Sequence, residues 1–110
     1  MITFNGKMLS VSGKSLELDY PVADAFELEG RIIVLFNPDA YKEKFGQFSN
    51  LIALRPTGER LWVAELPTTT TGDRYYKVAS QTPLVVYSIY SQECEIDPAT
   101  GRIKARHFFK

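Results

Sequence analysis

A chain of 110 residues, 45% of them hydrophobic, is long enough for one compact domain with its own core and too short for two. Thirteen basic and thirteen acidic residues cancel, which excludes a global charge that would attract nucleic acid or an anionic membrane. The single cysteine, Cys94, excludes an internal disulfide and a cysteine-based metal cluster. We therefore expect a single domain over residues 1–110 without metal or cofactor, and with neither nucleic acid nor a membrane as partner.

The N-terminal stretch MITFNGKML does not have the charged-then-apolar pattern of a secretory signal. The longest purely apolar run, residues 32–36, is far shorter than a membrane-spanning segment. Both observations predict a soluble, cytoplasmic protein.

Residues 7–20 read as a β-hairpin that turns at Gly13 and Lys14. Its second half, SLELDY, alternates strictly, with Leu16, Leu18 and Tyr20 on one face and polar or acidic residues on the other. That alternation is typical of a half-buried strand. We assign residues 1–19 to an N-terminal hairpin.

Two further segments, RIIVLFN and PLVVYSIY, are continuously apolar and rich in β-branched residues. This composition favours strands that are covered on both faces, so both should be interior strands of their sheets. Between them, residues 38–48 allow either one or two helical turns, capped by Asp39 and ended by Gly46, or a polar hairpin loop.

The phrases ALRPTGERLW and EIDPATGRIK repeat each other, and each contains a proline-glycine turn, at residues 55–58 and 97–101. Proline presets the second turn position and glycine takes the positive φ that ends the turn, so each joins two antiparallel strands. The repeat extends upstream, which gives two units of four strands, at residues 20–66 and 74–109. A repeat of about forty residues with four short strands has the length of one propeller blade.

These phrases resemble the xLDxxTGxxxW motif of quinoprotein-like and related WD-like β-propeller blades, in which a tryptophan docks one blade on the next. Arg55 stands where the motif has an aspartate, and Lys104 or Ala105 stands where the second tryptophan would be. The resemblance implies an all-β fold of antiparallel sheets, with two blade-like four-stranded repeats plus the N-terminal hairpin as an open, partial β-propeller. It carries no quinone site over to this chain. Small bacterial proteins with similar sequences include some that are encoded next to toxins. The resemblance therefore implies an immunity protein of the contact-dependent inhibition type.

Residues 15–30 contain five acids and no base. The acids of this segment are either a solvated strand face or a patch that binds a basic partner. Tyr75 and Tyr76 are consecutive strand residues beside Asp73, so at least one should face outward as an interface anchor. The candidate partner-binding residues are Asp19, Asp24, Glu27, Glu29, Asp73, Tyr75 and Tyr76.

His107 is the only histidine, and no serine lies in a nucleophile elbow. We therefore predict no catalytic residue and expect a non-enzymatic protein-binding module, in its most concrete form an immunity-type inhibitor of a cognate bacterial toxin such as a basic nuclease. The alternative is an assembly protein that forms homo-oligomers through open blade edges. A third hypothesis is a small hydrolase that uses His107.

Overall fold

The computed structural model describes residues 1–40 and 46–109, and every regular element within them is a β-strand. The strands form three separate sheets, and within each sheet every strand pairs antiparallel with the strand next to it in the chain. The all-β, antiparallel part of the expected fold is thereby confirmed. In chain order the strands are Ile2–Asn5 (β1), Met8–Val11 (β2), Lys14–Glu17 (β3), Val22–Leu28 (β4), Arg31–Phe36 (β5), Leu51–Leu54 (β6), Arg60–Val63 (β7), Tyr75–Ser80 (β8), Val85–Ser88 (β9), Gln92–Ile96 (β10) and Ile103–Phe108 (β11).

The first three strands form the N-terminal sheet, β4 to β7 the middle sheet, and β8 to β11 the C-terminal sheet. In the N-terminal sheet the hairpin of β2 and β3 has a third strand, β1, beside it. The hairpin turns at Ser12 and Gly13, whose φ angles of 49° and 85° define the type I′ turn that matches strand twist. The turn therefore lies one residue earlier than expected, because Lys14 already pairs with Val11.

The middle sheet is covered by apolar side chains on both faces. Along β5, Ile32, Val34 and Phe36 join a core shared with the N-terminal sheet, whereas Ile33 and Leu35 join a core shared with the C-terminal sheet. The three sheets are therefore stacked, with the middle sheet between the other two. The prediction that RIIVLFN is an interior strand buried on both faces is confirmed.

The second apolar segment behaves differently. Its strand, β9, is interior in the C-terminal sheet, as predicted, but only Val86 and Ser88 are fully buried. Val85 and Tyr87 are half-buried on the opposite face, which is the outer face of the stack. The expected double coverage is wrong here because, within the described residues, no further sheet packs on that side.

Two contacts of the same kind dock each sheet on the next. Leu16 of β3 packs against Gly58 in the β6–β7 turn, and Trp62 of β7 packs against Gly101 in the β10–β11 turn. The indole Nε1–H of Trp62 also donates a hydrogen bond to the Pro98 carbonyl at 2.9 Å. A side chain from the outer strand of one sheet thus seats on the turn glycine of the following sheet.

Asn50 connects the middle and C-terminal sheets through their backbones. Its fully buried amide donates to the carbonyls of Phe36 and Tyr75 at 3.1 and 2.6 Å and accepts from the Tyr75 N–H at 2.9 Å. A buried amide with three such partners fixes the position of β8 against β5.

The helical turn or loop expected at residues 38–48 lies largely on residues 41–45, outside the described residues. The expected cap by Asp39 falls on the same undescribed residues, and on the described N-terminal side the side chain of Asn37 closes a local turn. Its Oδ1 accepts the Asp39 N–H at 2.9 Å, and its carbonyl accepts the Ala40 N–H at 3.0 Å.

Candidate functional site

The acidic residues of β4 do not share one surface. Asp24 pairs with Leu35, whose side chain points toward the C-terminal sheet, whereas Glu27 pairs with Ile32, whose side chain points toward the N-terminal sheet. Directly opposed strand residues lie on the same face, so the two carboxylates leave β4 in opposite directions. The structure therefore does not bring Asp24 and Glu27 together as one patch.

The other two candidate acids, Asp19 and Glu29, are exposed and lie on either side of β4 rather than in its middle. Glu29 occupies the β4–β5 turn, where its carboxylate lies 3.8 Å from the guanidinium of Arg31. Asp19 precedes β4 and lines a shallow cleft together with Arg60 of β7. The Arg31 guanidinium beside Glu29 reduces the negative charge that Glu29 presents to a partner.

Asp73 is completely buried, so it cannot contact a partner protein. Its carboxylate accepts hydrogen bonds from the Ser88 hydroxyl and the Thr68 hydroxyl, each at 2.6 Å, and from the Arg74 N–H at 2.9 Å. This network ties the 68–73 connection to β9. Asp73 is thus a structural residue, and the structure corrects its assignment to a contact surface.

Tyr75 is also completely buried, in the core between the middle and C-terminal sheets. Its hydroxyl donates to the Glu65 carbonyl at 2.6 Å. Burial raises the pKa of Tyr75 well above its usual value, and burial likewise raises the pKa of the neighbouring Cys94 thiol. Because Tyr75 is buried, it does not belong to the expected contact surface, and the burial of Cys94 disfavours the thiolate form that a nucleophile needs.

Tyr76 is the expected residue that does face outward. Its ring lies 6.2 Å from the ring of Tyr87, which lies 4.6 Å from the ring of Phe109. These three aromatic side chains lie on the outer face of the C-terminal sheet, and 41% of Tyr76 remains exposed. An aromatic cluster of this size on an open sheet is typical of a protein-contact surface.

Charged residues extend the aromatic cluster across all four strands. Cross-strand pairing gives the row Lys77, Tyr87, Glu93 and His107, one residue from each strand. A register shift between Tyr75 and Lys77 lets the consecutive residues Tyr76 and Lys77 both belong to the outer face. We call the surface formed by the following residues the tyrosine face: Tyr76, Lys77, Tyr87, Glu93, His107 and Phe109.

The opposite end of the stack has a different character. The outer face of the N-terminal sheet consists of two cross-strand rows, Thr3, Ser10 and Ser15, and Asn5, Met8 and Glu17. Its short polar side chains suit contact with water, with Met8 as the one large apolar member. The stack therefore has one polar end and one aromatic end.

The tyrosine face is open rather than enclosed. His107 is exposed there, opposite Glu93 on the next strand. Across the described ranges, no group of three or more histidine, cysteine, aspartate or glutamate side chains is arranged to hold a metal ion. The same residues contain no helix long and apolar enough to cross a membrane.

A separate cleft lies beside β11, between that strand and the connection over residues 66–70. It is lined mainly by threonines and by Arg106, whose guanidinium donates to the Pro67 carbonyl. The cleft is polar and wide open, and the Arg106 contact holds the connection in place. It lacks the convergent buried polar groups of a small-molecule site.

Sequence reasoning missed Lys77, Tyr87, Glu93 and Phe109. The alternation of PLVVYSIY contained a usable signal, since it places Val85 and Tyr87 on the face opposite Val86 and Ser88. The aromatic neighbours of Tyr87 come from β8 and from the residue after β11, and only the sheet register brings them together.

The sequence profile of one protein family, described as Domain of unknown function (DUF7957), matches residues 1–108. Comparison with curated proteins and with solved structures gives no match.

Proposed function

The chain belongs to the DUF7957 family, and we propose that it is a non-enzymatic protein-binding module whose contact surface is the tyrosine face. The single observation that carries the proposal is the contact of Tyr76, Tyr87 and Phe109 on a sheet face that no other described strand covers, at the aromatic end of a stack whose other end is polar. Rigid aromatic side chains supply contact area at a low cost in side-chain entropy. The position of His107 on this open face, rather than in a cleft, supports a binding role over a catalytic one.

We further propose that the three sheets are blades of an open, partial β-propeller. The support is the repeated contact of Leu16 on Gly58 and of Trp62 on Gly101, which docks successive sheets in the same way. Trp62 follows Gly58 by four residues, and the residue at that distance after Gly101 is Ala105. Ala105 is exposed and its methyl group is too small to dock on a fourth sheet in this way, so a partner of the tyrosine face would bind through other contacts.

The most concrete form of the proposal is an immunity-type inhibitor of a cognate bacterial toxin. The acids of residues 15–30 would then steer the encounter with a basic toxin, while the tyrosine face makes the lasting contact. The different directions of Asp24 and Glu27 favour this division, because steering needs only a local excess of charge and not a single patch.

The test uses the protein encoded beside this chain as the binding partner, measured by titration calorimetry and by association kinetics. We expect Tyr76→Ala and Tyr87→Ala each to weaken binding by about tenfold or more, as truncated aromatic anchors do. The triple variant Asp24→Lys, Glu27→Lys and Glu29→Lys should mainly slow association and reduce its dependence on salt. Met8→Ala, on the polar outer face of the N-terminal sheet, is the matched control and should bind like the wild type.

Two results would contradict the proposal in different ways. If the wild-type chain does not bind that neighbour, the toxin-inhibitor form is wrong. If it binds and both tyrosine variants bind equally well, the tyrosine face is not the contact surface.

A further inference from the structure

We infer that a second copy of this chain covers the tyrosine face when no other partner is bound. The inference rests on the proposed function, because it concerns the same surface and names one occupant for it. The observation behind it is the order of residues across the sheet. Lys77 and Glu93 lie on the two strands that flank Tyr87, one basic and one acidic.

This order makes the face complementary to itself. Two identical faces pack through a two-fold axis that lies in the plane between them. When that axis runs along β9 at Tyr87, the two Tyr87 rings meet at the centre and Lys77 of one copy lies opposite Glu93 of the other. Adjacent strands are about 5 Å apart, so the two charges are displaced equally from the axis in opposite directions. Each contact therefore occurs twice, with opposite charges facing each other.

Long-range electrostatics do not oppose this association. The formal net charge of the chain is zero, so two copies do not repel one another. A head-to-tail stack is disfavoured, because it would press the polar outer face of the N-terminal sheet, with its row of Thr3, Ser10 and Ser15, against the aromatic rings. The two-fold arrangement instead pairs aromatic with aromatic side chains and base with acid.

The size of the face sets the strength of the dimer. Four strands of about five residues cover only a few hundred Å² per copy, which is below the roughly 800 Å² per partner of a standard specific interface and in the range of weak, transient contacts. We therefore expect a weak, rapidly exchanging dimer with a dissociation constant in the micromolar range. Such a dimer shields the aromatic face from nonspecific contacts and is displaced by a partner that binds more tightly.

Sedimentation velocity over a concentration range from about 1 µM to about 1 mM tests the inference, since this range brackets a micromolar dissociation constant. The wild type should shift from monomer to dimer across the range. Lys77→Glu and Glu93→Lys should each weaken self-association by about tenfold or more, because each places like charges opposite one another twice. An equimolar mixture of the two variants should form a heterodimer, since in the mixed pair every Lys–Glu contact has opposite charges again.

Lys7→Glu, in the exposed β1–β2 turn, makes the same change of charge away from the face and should dimerise like the wild type. Tyr76→Ala provides an uncharged second route and should also weaken the dimer. Circular dichroism and the thermal midpoint show whether each variant is folded. A wild type that stays monomeric throughout, or single variants that fail to recombine as a heterodimer, would overturn the inference.

The failures of the two proposals are distinguishable. If the wild type stays monomeric but the tyrosine variants no longer bind the heterologous partner, the dimer inference is wrong. The proposed protein-binding function is then retained. If Lys77→Glu weakens the dimer but Tyr87→Ala does not weaken binding of the partner, the dimer inference is retained. The tyrosine face is then not the surface that binds the partner.

Discussion

The indole of Trp62 lies so close to Gly101 that a Cβ atom at residue 101 would be 2.6 Å from Cε3 and 2.7 Å from Cδ2 of the ring. The ring cannot swing away freely, because its Nε1–H is bonded to the Pro98 carbonyl and its side chain is buried in the core. Gly101 also has a φ of +78°, in the left-handed region. Two independent constraints therefore require glycine at this position.

Replacing Gly101 by alanine should separate these constraints. Gly101→Ala adds a clash with the ring to the backbone strain, and we expect it to lower the free energy of unfolding by about 3 kcal/mol. Gly30→Ala is the matched control, since Gly30 has nearly the same φ of +79° and open space around its Cα. Strain alone should cost about 1 kcal/mol there. Urea denaturation of the purified variants measures both values.

Gly58→Ala provides an intermediate case in the same experiment. A Cβ at residue 58 would lie 3.1 Å from Cδ2 of Leu16, a flexible side-chain end that can shift by a few tenths of an ångström. We expect a loss between those of Gly30→Ala and Gly101→Ala. Equal losses for all three glycines would mean that the sheet-to-sheet contacts do not limit the residue type.

Shrinking the ring should relieve the clash at residue 101. Trp62→Phe removes the Pro98 hydrogen bond and part of the packing, which we expect to cost about 2 kcal/mol. In the Trp62→Phe background, however, Gly101→Ala should cost about 1 to 2 kcal/mol less than in the wild type. A double-mutant cycle in urea measures this coupling, and additive losses would contradict direct contact between the two residues.

Asn50→Ala should be one of the most destabilising amide substitutions in the chain. It leaves the Tyr75 N–H and C=O without their Asn50 partners inside the core. We expect a loss of about 2 to 4 kcal/mol, since each unsatisfied buried group costs about 1 to 3 kcal/mol. Asn5→Ala, at an exposed position on β1, should change stability by less than about 0.5 kcal/mol. Thermal or chemical denaturation compares them, and similar small losses would rule out the bridging role of Asn50.

Because the Tyr75 hydroxyl is buried, we expect the free energy of unfolding to fall at alkaline pH. Burial raises the pKa of its hydroxyl in the folded chain, whereas an unfolded tyrosine ionises near pH 10. Below about pH 10 both states hold the proton and the full stability is present. Above that pH unfolding releases a proton, so the free energy of unfolding falls by up to about 1.4 kcal/mol per pH unit.

The variant Tyr75→Phe tests this assignment. It should lose about 1 kcal/mol at neutral pH, because the bond to the Glu65 carbonyl is gone, and should show a flatter decline above about pH 10. Tyr76→Phe, the exposed neighbour, should keep the wild-type pH dependence. Parallel slopes for both variants would show that another group controls the alkaline transition.

The Cys94 thiol should be protected from modification in the folded chain. It is fully buried, so the reagent cannot reach it, and burial raises its pKa, so little of it is thiolate. Both effects slow its attack on a disulfide reagent. At pH 8 we expect labelling at least about a hundredfold slower than in the urea-unfolded chain, since it requires opening of the structure. Gly101→Ala should accelerate the labelling. Native and unfolded rates of similar size would contradict this picture.

The sequence predicts the strands well because local chemistry decides them. The β-branched runs of β5 and β9, the prolines and glycines at residues 55–58 and 97–101, and the alternation around Leu16 all act within a few residues. The expected position of the first turn is wrong by one residue, because a type I′ turn tolerates several small or polar residues and only the pairing of Val11 with Lys14 fixes it.

The candidate surface could not be predicted in the same way, because residues far apart in the sequence determine which side chains are buried and which are exposed. Asp73 follows a glycine and precedes an arginine, which suggests an exposed turn, yet Ser88 and Thr68 supply the hydroxyls that allow its burial. Tyr75 and Tyr76 alternate in any strand, and the sequence alone does not say which of them faces the core. The register shift between Tyr75 and Lys77 is a property of the pairing with β9 and leaves no local mark.

The double coverage of the middle sheet has a consequence for how the chain can be shortened. A fragment that ends after β7 would keep the N-terminal and middle sheets but expose the side chains that normally contact the C-terminal sheet, among them Phe26, Leu35 and Trp62. Although each sheet is assembled from neighbouring strands and is favoured by short loop closures, the central one has no side suited to water. The last third of the molecule therefore acts as a solubility cap for the rest, and truncated chains should aggregate during synthesis or after proteolysis.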